Sequence, residues 1–500
     1  MTLQKFSNCL QSVIGSRSAG RRRRSARAAG KLVPDPTVKL FLAGILLLTV
    51  TIAPVRGSLD VYPAPLGLAP SPEYRVTVSQ DGKTQEPFVY VTTAKWRSNK
   101  VKDTAWTTFA FDGRVSVRVT KLNGRFRSCK ILPSSRRIEP RVEGNTARFE
   151  LDRPAKLSVE FDDSARTHPL LIFADPPETN LPPRDAPNGV WFAPGVHELP
   201  GGQMELRAGQ TVYLAGGAFV RGRIVGRDAK GARILGRGVL SGERLPPTDV
   251  TGKKSEHFIS LRGDDVLVDG PTLVDSPHFN LTIAGQRAVV RNVKMISWWF
   301  STDGVGTHAH GLIEDCFFKV NDDAVKLYHS DTTVRRCVIW QMENGAPFQI
   351  SWNMPGRHSG FRVSDCDVIH VEHSWKNDNE AVFCAIHGGS GHMSDYLFEN
   401  IRIENARWRL VSLVIKPNEF APGVKQPGTI SNVTFRNITA DGPFALPNRL
   451  RGFSADSRIE GVTFDHVRVG GRVLTSVADN FEVDTNTVHG VRFLPESKHR

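Results

Sequence analysis

Apolar and polar residues alternate along this chain in two distinct patterns. Between residues 58 and 175 the apolar positions recur every second residue in short runs. They read "YRVTV", "FVYVTTA", "VSVRVTKL", "TARFELD" and "KLSVEF", separated by turn residues. Period two marks strands with one buried face, and no run carries a helical stripe. The stretch predicts a small antiparallel β-sandwich. "ADPPETNLPPRDAPNG" follows, rich in Pro, Asp and Asn. It reads as a linker, placed at 176–189.

From residue 190 to about 493 the second pattern is a repeat. Segments such as "RILGRGVLSG", "VVRNVKMIS", "LIEDCFFKV", "TVRRCVIWQ", "RVSDCDVIHV" and "TFRNITADG" each join two apolar strands through a polar or glycine corner. The corners fall at Gly238, Gly270, Asn292, Asp315, Arg336, Asp365, Asn400, Asn437 and His466. The tightest spacings, 21 to 23 residues, fit one coil of a parallel β-helix, and longer ones add loops. Asn, Asp and Gly tolerate the left-handed backbone that such corners need. The residue after each corner is apolar and often Cys: Val293, Cys316, Cys337, Cys366, Ile401, Ile438, Val467. Stacked coils place these in one interior column. The cysteines then read as small buried hydrophobes, although rungs about 4.8 Å apart also permit a disulfide between coils. The predicted fold is all-β: an N-terminal β-sandwich followed by a right-handed, single-stranded parallel β-helix.

Composition changes this picture only at the N-terminus. The 500 residues carry a formal charge of +14. Residues 1–57 hold ten Lys and Arg and one acid, so +9 of it lies there. The basic cluster Arg21–Arg24 precedes an apolar run, Leu40–Ala53, and then small residues near Gly57. That order predicts a signal peptide and basic leader over 1–57. The apolar run is shorter than the roughly 20 residues of a membrane span. The expectation is a secreted, extracellular or periplasmic protein, with an uncleaved anchor as the alternative. No nucleic-acid partner and no stable membrane span are expected, and a monomer is. Cysteine spacing shows no CxxC and no zinc pattern, and His308, His310, His387 and His392 have no metal-ligand spacing. No cofactor and no metal are expected.

The chemistry concentrates in three successive coils: "VVRNVKMISWWFSTDGVGTH", "LIEDCFFKVNDDAVKLYH" and "TVRRCVIWQMENGAPFQISW". Asp303 opens the strand after the corner pair in the first coil. Asp322 and Asp323 open it in the second. They stand 19 and 20 residues apart, close to one coil, so stacking gathers three carboxylates at one edge. Like charges this close push one of them to keep a proton. A protonated carboxyl beside ionised ones equips a site for glycosidic bond cleavage. Lys326, Tyr328, His329 and Gln349 lie on the same strip, and Trp299 and Trp352 offer faces for sugar rings. Trp298 and Trp299 are adjacent, so at most one faces a cleft. Three other readings stand beside this one. Calcium also gathers carboxylates, corner aspartates serve backbone donors, and Lys326 serves equally to neutralise the acids.

"STDG" (Ser301–Gly304), followed by "VNDDAVKLY" (Val320–Tyr328) inside a β-helix and after a sandwich, resembles the dextranases and isopullulanases of glycoside hydrolase family 49. The likeness covers roughly residues 60–490 in architecture and is strongest in sequence around 290–353. The Asp…Asp-Asp pattern also occurs in polygalacturonases, which share the β-helix. Their Gly-His-Gly and Arg-Ile-Lys segments are echoed in part by "IHGGSGH" (Ile386–His392) and "LVIKP" (Leu413–Pro417). These add His387 and Lys416 to the substrate-binding candidates. Val414 stands where an Arg would hold a uronate, which points away from pectin. The resemblance implies inversion at the anomeric carbon, with Asp322 as general acid and Asp303 and Asp323 positioning and activating water. The expected substrate is a polysaccharide, an α-glucan of the dextran or pullulan type. The alternatives are a hydrolase of acidic pectic polymers, a polysaccharide lyase and a glycan-binding β-helix without activity.

Overall fold

Strand Tyr74–Gln80 buries alternate residues, as its period-two sequence requires. It lies in a five-stranded sheet with Lys83–Gln85, Val115–Lys121, Thr146–Leu151 and Arg141–Glu143. A six-stranded sheet packs against it through Val76, Val78, Val117, Phe109, Phe111, Leu157 and Ile172. The computed structural model describes residues 57–93, 103–162, 168–179, 181–247, 257–373 and 380–495. The basic leader lies outside the described residues, apart from Gly57. Within the six-stranded sheet, Leu170–Asp175 runs parallel to Thr104–Phe111, so the sandwich is not wholly antiparallel.

Three strands of that sheet, Thr104–Phe111, Ala155–Phe161 and Leu170–Asp175, are buried at every position. Only Leu170–Asp175 is nearly continuous in apolar residues; in Ala155–Phe161 the second covered face carries Lys156, Ser158 and Glu160, buried although polar. Leu170, Ile172 and Ala174 point into the sandwich core, whereas Leu171 and Phe173 point into a second core shared with the β-helix.

The β-helix consists of three main parallel ladders. One contains Val289–Arg291, Leu312–Glu314 and Thr333–Arg335, and its outer face carries charge. A second contains Lys294–Ile296, Phe317–Val320 and Val338–Gln341. Its outer face carries Val274, Ile296, Phe317, Val338 and Trp340 against Tyr90, Trp106, Leu171 and Phe173 of the sandwich. The third contains Leu281–Ala284, Val305–Thr307, Val325–Lys326, Phe348–Gln349 and Phe383–His387. Inside, one continuous apolar core runs the length of the helix.

The corners behave as their residue types demand. Gly270, Asn292, Asp315, Asp365, Asn400 and Asn437 all have positive φ. Arg336 and His466 do too, at 54° and 55°, despite a cost of about 1–2 kcal/mol for an ordinary side chain. Arg336 is held there by hydrogen bonds to Asp315 and Glu314. In the first of these coils the positive φ falls at Gly236 rather than at Gly238. The residues after the corners, Val293, Cys316, Cys337, Cys366, Ile401, Ile438 and Val467, are all buried in the core. The three thiols are free and donate to backbone carbonyls of Glu314, Arg335 and Ser364.

Between the two domains a wholly buried Asp175 meets Lys294 at 2.6 Å, with Arg237 at 3.6 Å and Lys156 at 3.9 Å. Lys294 also donates to Gly270 O at 2.6 Å. Removing one member of a buried pair leaves an uncompensated charge and costs about 3–5 kcal/mol, whereas an apolar replacement of both is far milder. Asp175→Ala, which strands three buried cations, is therefore expected to lower the urea midpoint strongly, and Lys294→Met, which leaves Asp175 with Arg237 and Lys156, to lower it less. Equal midpoints for the two variants would contradict this account.

Candidate active site

Between the sandwich-facing ladder and the third ladder, each coil makes a turn. Three such turns lie in register, because Val305 pairs with Val325 and Val325 with Phe348. Asp303 and Asp323 therefore occupy equivalent rungs, tied by Gly304 N donating to Asp323 O at 2.9 Å. One carboxylate oxygen from each of Asp303, Asp322 and Asp323 lies within 4.8 Å of the others. The rungs approach so closely that Gly304 has no room for a side chain. A Cβ there would sit 2.2 Å from Ala324 O.

The third coil positions the doublet. Asn344 Nδ2 donates to Asp322 Oδ2 at 2.8 Å, and Ala346 N donates to Asp323 Oδ1 at 3.1 Å. Ser301 N, from the first coil, donates to Asp322 Oδ2 at 3.1 Å. Asp322 Oδ1 accepts from Asp323 N at 2.8 Å. Asn321 and Asn344 stack in the same register, with Asn344 N donating to Asn321 Oδ1 at 3.0 Å.

Charge is divided unequally among the three acids. Lys326 Nζ bonds to Asp323 Oδ2 at 2.8 Å and makes a closer contact with Asp303 Oδ1. Asp322 has no such clamp and is the partly exposed member, whereas Asp303 and Asp323 are buried. Burial, followed by repulsion from Asp323, pushes Asp303 up to about 6 against the pull of Lys326. Enclosure by the site and the charges of Asp303 and Asp323 hold Asp322 well above the usual carboxylate range. Burial alone would lower Lys326, but Asp303 and Asp323 outweigh it and hold the ammonium raised. The cluster thus combines a carboxyl biased toward its protonated form, a second carboxylate of raised basicity and a fixed cation. A hard metal ion takes six to eight oxygens, and this donor set does not suit one, because Lys326 already lies between two of the three carboxylates.

The other candidate residues divide into two groups. Gln349 neighbours Lys326 on the next rung, and its amide lies 2.7 Å from Trp352 Nε1 and 3.2 Å from Cys384 O. Trp352 is half-buried and donates to Asp323 Oδ2 at 3.3 Å. Its ring meets Phe420 edge-on at 5.0 Å. The Tyr328 ring lies 5.3 Å from Lys326 Nζ. His329 stacks on His308 at 4.1 Å, and burial pushes it down to about 3.

Trp299, expected on the cleft, packs with Trp298 in the core between sandwich and helix, at 4.7 Å. That ladder's outer face is covered, so both rings are spent on burial. His387 is likewise not at the surface. Its Nδ1 pairs with Ser351 Oγ at 2.8 Å and its Nε2 with Gly391 O at 2.9 Å. Burial lowers it to about 4, so the ring is neutral and holds the turn that follows. Lys416 is half-buried after Val411–Ile415, with its backbone N on His387 O.

Asn321, Asn344, Ser301 and Phe420 complete the surroundings and were not singled out from the sequence. Asn321 and Asn344 had a signal, since "VND" and "MEN" carry Asn at the same coil position. Phe420 had none. It lies in a loop between coils, anchored by Asn418 Nδ2 on Trp352 O and Ile386 O.

With this geometry in view, comparison with known proteins gives a consistent picture. No family model matches the chain. It is 26% identical over 387 residues to a dextranase of Arthrobacter sp. strain CB-8, covering 60% of each chain. A dextranase of Arthrobacter globiformis is 25% identical over 499 residues, covering 82% of this chain and 74% of its own. An isopullulanase of Aspergillus niger is 25% identical over 340 residues, covering 56% of this chain and 60% of its own. The solved structure of Dex49A from Penicillium minioluteum superposes with a TM-score of 0.72 at 18% identity, covering 87% of this chain and 96% of that one. The likeness to dextranases and isopullulanase carried by the "STDG" and "VNDDAVKLY" segments thus extends over most of the chain.

Gly345 tests the role of the third coil. It sits at φ 76°, and a Cβ would lie 2.3 Å from Asp322 C and Asp323 N. Gly345→Ala is expected to cost about 1–3 kcal/mol from overpacking alone, with left-handed strain added. Thermal unfolding should show a lowered midpoint, and an unchanged midpoint would remove the third coil from this account.

Proposed function

We propose that this relative of the dextranases and isopullulanase is a glycoside hydrolase. In this reading it cleaves an α-glucan of the dextran or pullulan kind by inverting acid–base catalysis at Asp303, Asp322 and Asp323. The observation that carries the reading is the unequal clamp. Three carboxylates stand together, one lysine neutralises two of them, and the third is left to hold a proton. Asp322 gives that proton to the glycosidic oxygen as the bond to the anomeric carbon breaks. Asp303, the carboxylate whose basicity is best matched to neutral pH, takes a proton from the attacking water. Asp323 holds Lys326 in place beside it. The products are a shortened chain and a new reducing end. Trp352 and Phe420 supply apolar faces for the sugar rings, with Gln349, Tyr328 and Lys326 as polar neighbours.

The surroundings weigh against the other chemistries. A lyase needs a neutral base, but Lys326 is held protonated by two carboxylates. A pectic substrate needs a cation where Val414 stands, and Val414 is buried. One observation favours a retaining reaction. The carboxylate oxygens lie within 4.8 Å, nearer the roughly 5–5.5 Å of retaining pairs than the 6.5–9.5 Å of inverting ones. Against it, Lys326 engages both Asp303 and Asp323, so a nucleophile would have to leave its cation to bond with sugar.

Asp322→Asn is expected to reduce turnover on dextran or pullulan by at least about 10²-fold, with the fold intact by circular dichroism. Unchanged turnover would refute the assignment. Product NMR distinguishes the stereochemical readings, with the inverted anomer expected first and net retention counting against it.

The pH profile follows from the signs of the two shifts. Asp303 must be ionised, so kcat/KM should fall about tenfold per unit as pH drops below about 6. Asp322 must be protonated, so activity should fall again on the alkaline side. Both limbs belong to the coupled cluster rather than to single residues. Flat activity from pH 4 to 9 would exclude these roles.

A further inference from the structure

Gly304 and Gly345 are glycines because neighbouring rungs leave them no room for a side chain. Gly306, two residues beyond the first, has no such reason. Its φ is not positive, and a Cβ there would meet nothing closer than Lys326 Cδ, at 3.9 Å. Every other described glycine either has a positive φ or would bring a Cβ within 3.1 Å of another atom. The strand Val305–Thr307 is paired without a bulge on both sides, to Leu281–Ala284 and to Val325–Lys326. Glycine inside a regular strand weakens it, and where no bulge or corner explains it the close approach of another molecule does.

Gly306 faces outward. Leu281, Val305 and Val325 fill the core, so the next position on each strand points away from it. That outer column runs Ser260, Thr282, Gly306, Lys326, Gln349 and Cys384. The first four are partly exposed, whereas Gln349 and Cys384 are buried. The column is open up to Lys326 and closed beyond it. The missing side chain lies in the open stretch, one rung from the ammonium that clamps Asp303 and Asp323.

A wall of rings stands beside the gap. Phe279 is half-buried and belongs to the coil of Thr282, yet its ring lies 5.1 Å from Lys326 Nζ, past the Gly306 rung. His257 stacks on Phe279 at 4.5 Å with 22° between the planes, and its Nδ1 pairs with Thr282 Oγ1 at 2.8 Å. Burial and the Lys326 charge lower His257 to about 4, so its imidazole is neutral. A flat backbone floor, aromatic rings at the side and uncharged polar groups at the edge suit a sugar ring, which has apolar faces and a rim of hydroxyls.

We propose that Gly306 is the floor of a sugar-binding subsite on the Thr282 side of the carboxylates, and that its missing side chain leaves the space one ring of the α-glucan occupies. This inference rests on the hydrolase reading above. The subsite is distinct from the Trp352 and Phe420 faces, which lie on the Gln349 side. A side chain at position 306 would take the place of the sugar without crowding the fold.

Gly306→Ala and Gly306→Val give a graded test. Both residues add packing to the strand, and Val favours it outright, so thermal midpoints should equal or exceed that of the parent. On the α-glucan that the parent hydrolyses, KM should rise at least about tenfold for Gly306→Val, the penalty of a methyl-sized intrusion into a fitted site, and less for Gly306→Ala. An unchanged kcat should accompany it, the mark of lost binding rather than lost chemistry. If the parent is active, an unchanged KM in both variants, a lowered midpoint, or a fall in kcat alone would each overturn the subsite and leave the catalytic reading standing. A parent that hydrolyses no α-glucan would instead refute the catalytic reading, and the subsite with it.

Discussion

Stacking identical coils brings like side chains together, and for carboxylates that is repulsive. The site depends on how this repulsion is contained. Asp303 and Asp323 occupy equivalent rungs, and Lys326 sits between them from the third ladder. Two buried carboxylates a few ångströms apart repel one another. The Lys326 ammonium offsets that repulsion, and Asp322 is the member with no cation of its own. The charge asymmetry of the cluster thus comes from one lysine serving two of three neighbours.

The same economy governs the backbone. Close rungs exclude side chains at Gly304 and Gly345, so the turns of three coils nest against one another. Donors from the coils on either side then reach the acids: Ser301 N from one, Asn344 Nδ2 and Ala346 N from the other. The carboxylates are therefore held by three layers of a rigid stack rather than by a loop. A site on regular elements keeps its geometry better than one on loops.

The sandwich contributes by covering. Its six-stranded sheet buries the outer face of the ladder that leads into the carboxylate turns. This explains why that ladder carries Phe317, Trp340 and the Trp298–Trp299 pair where an exposed face would be polar. It also encloses Asp175 and Lys294, a charge pair that ties the domains at a defined place.

The periodicities alone determined the architecture, because a residue's face on a strand follows from its parity and a coil's length from the spacing of its corners. The gathering of Asp303, Asp322 and Asp323 was legible for the same reason, as was the burial of the cysteine column. Tertiary structure decided what periodicity does not encode. An outward-facing tryptophan belongs to a cleft or to an interface according to what lies over it, and only the docked sandwich assigns Trp299 to the interface. His387 looked like a ligand-binding imidazole until Ser351 and Gly391 closed around it. Phe420 and Asn418 lie in a loop with no register to the coils. Their approach to Trp352 depends on where that loop folds back, and no repeat specifies that.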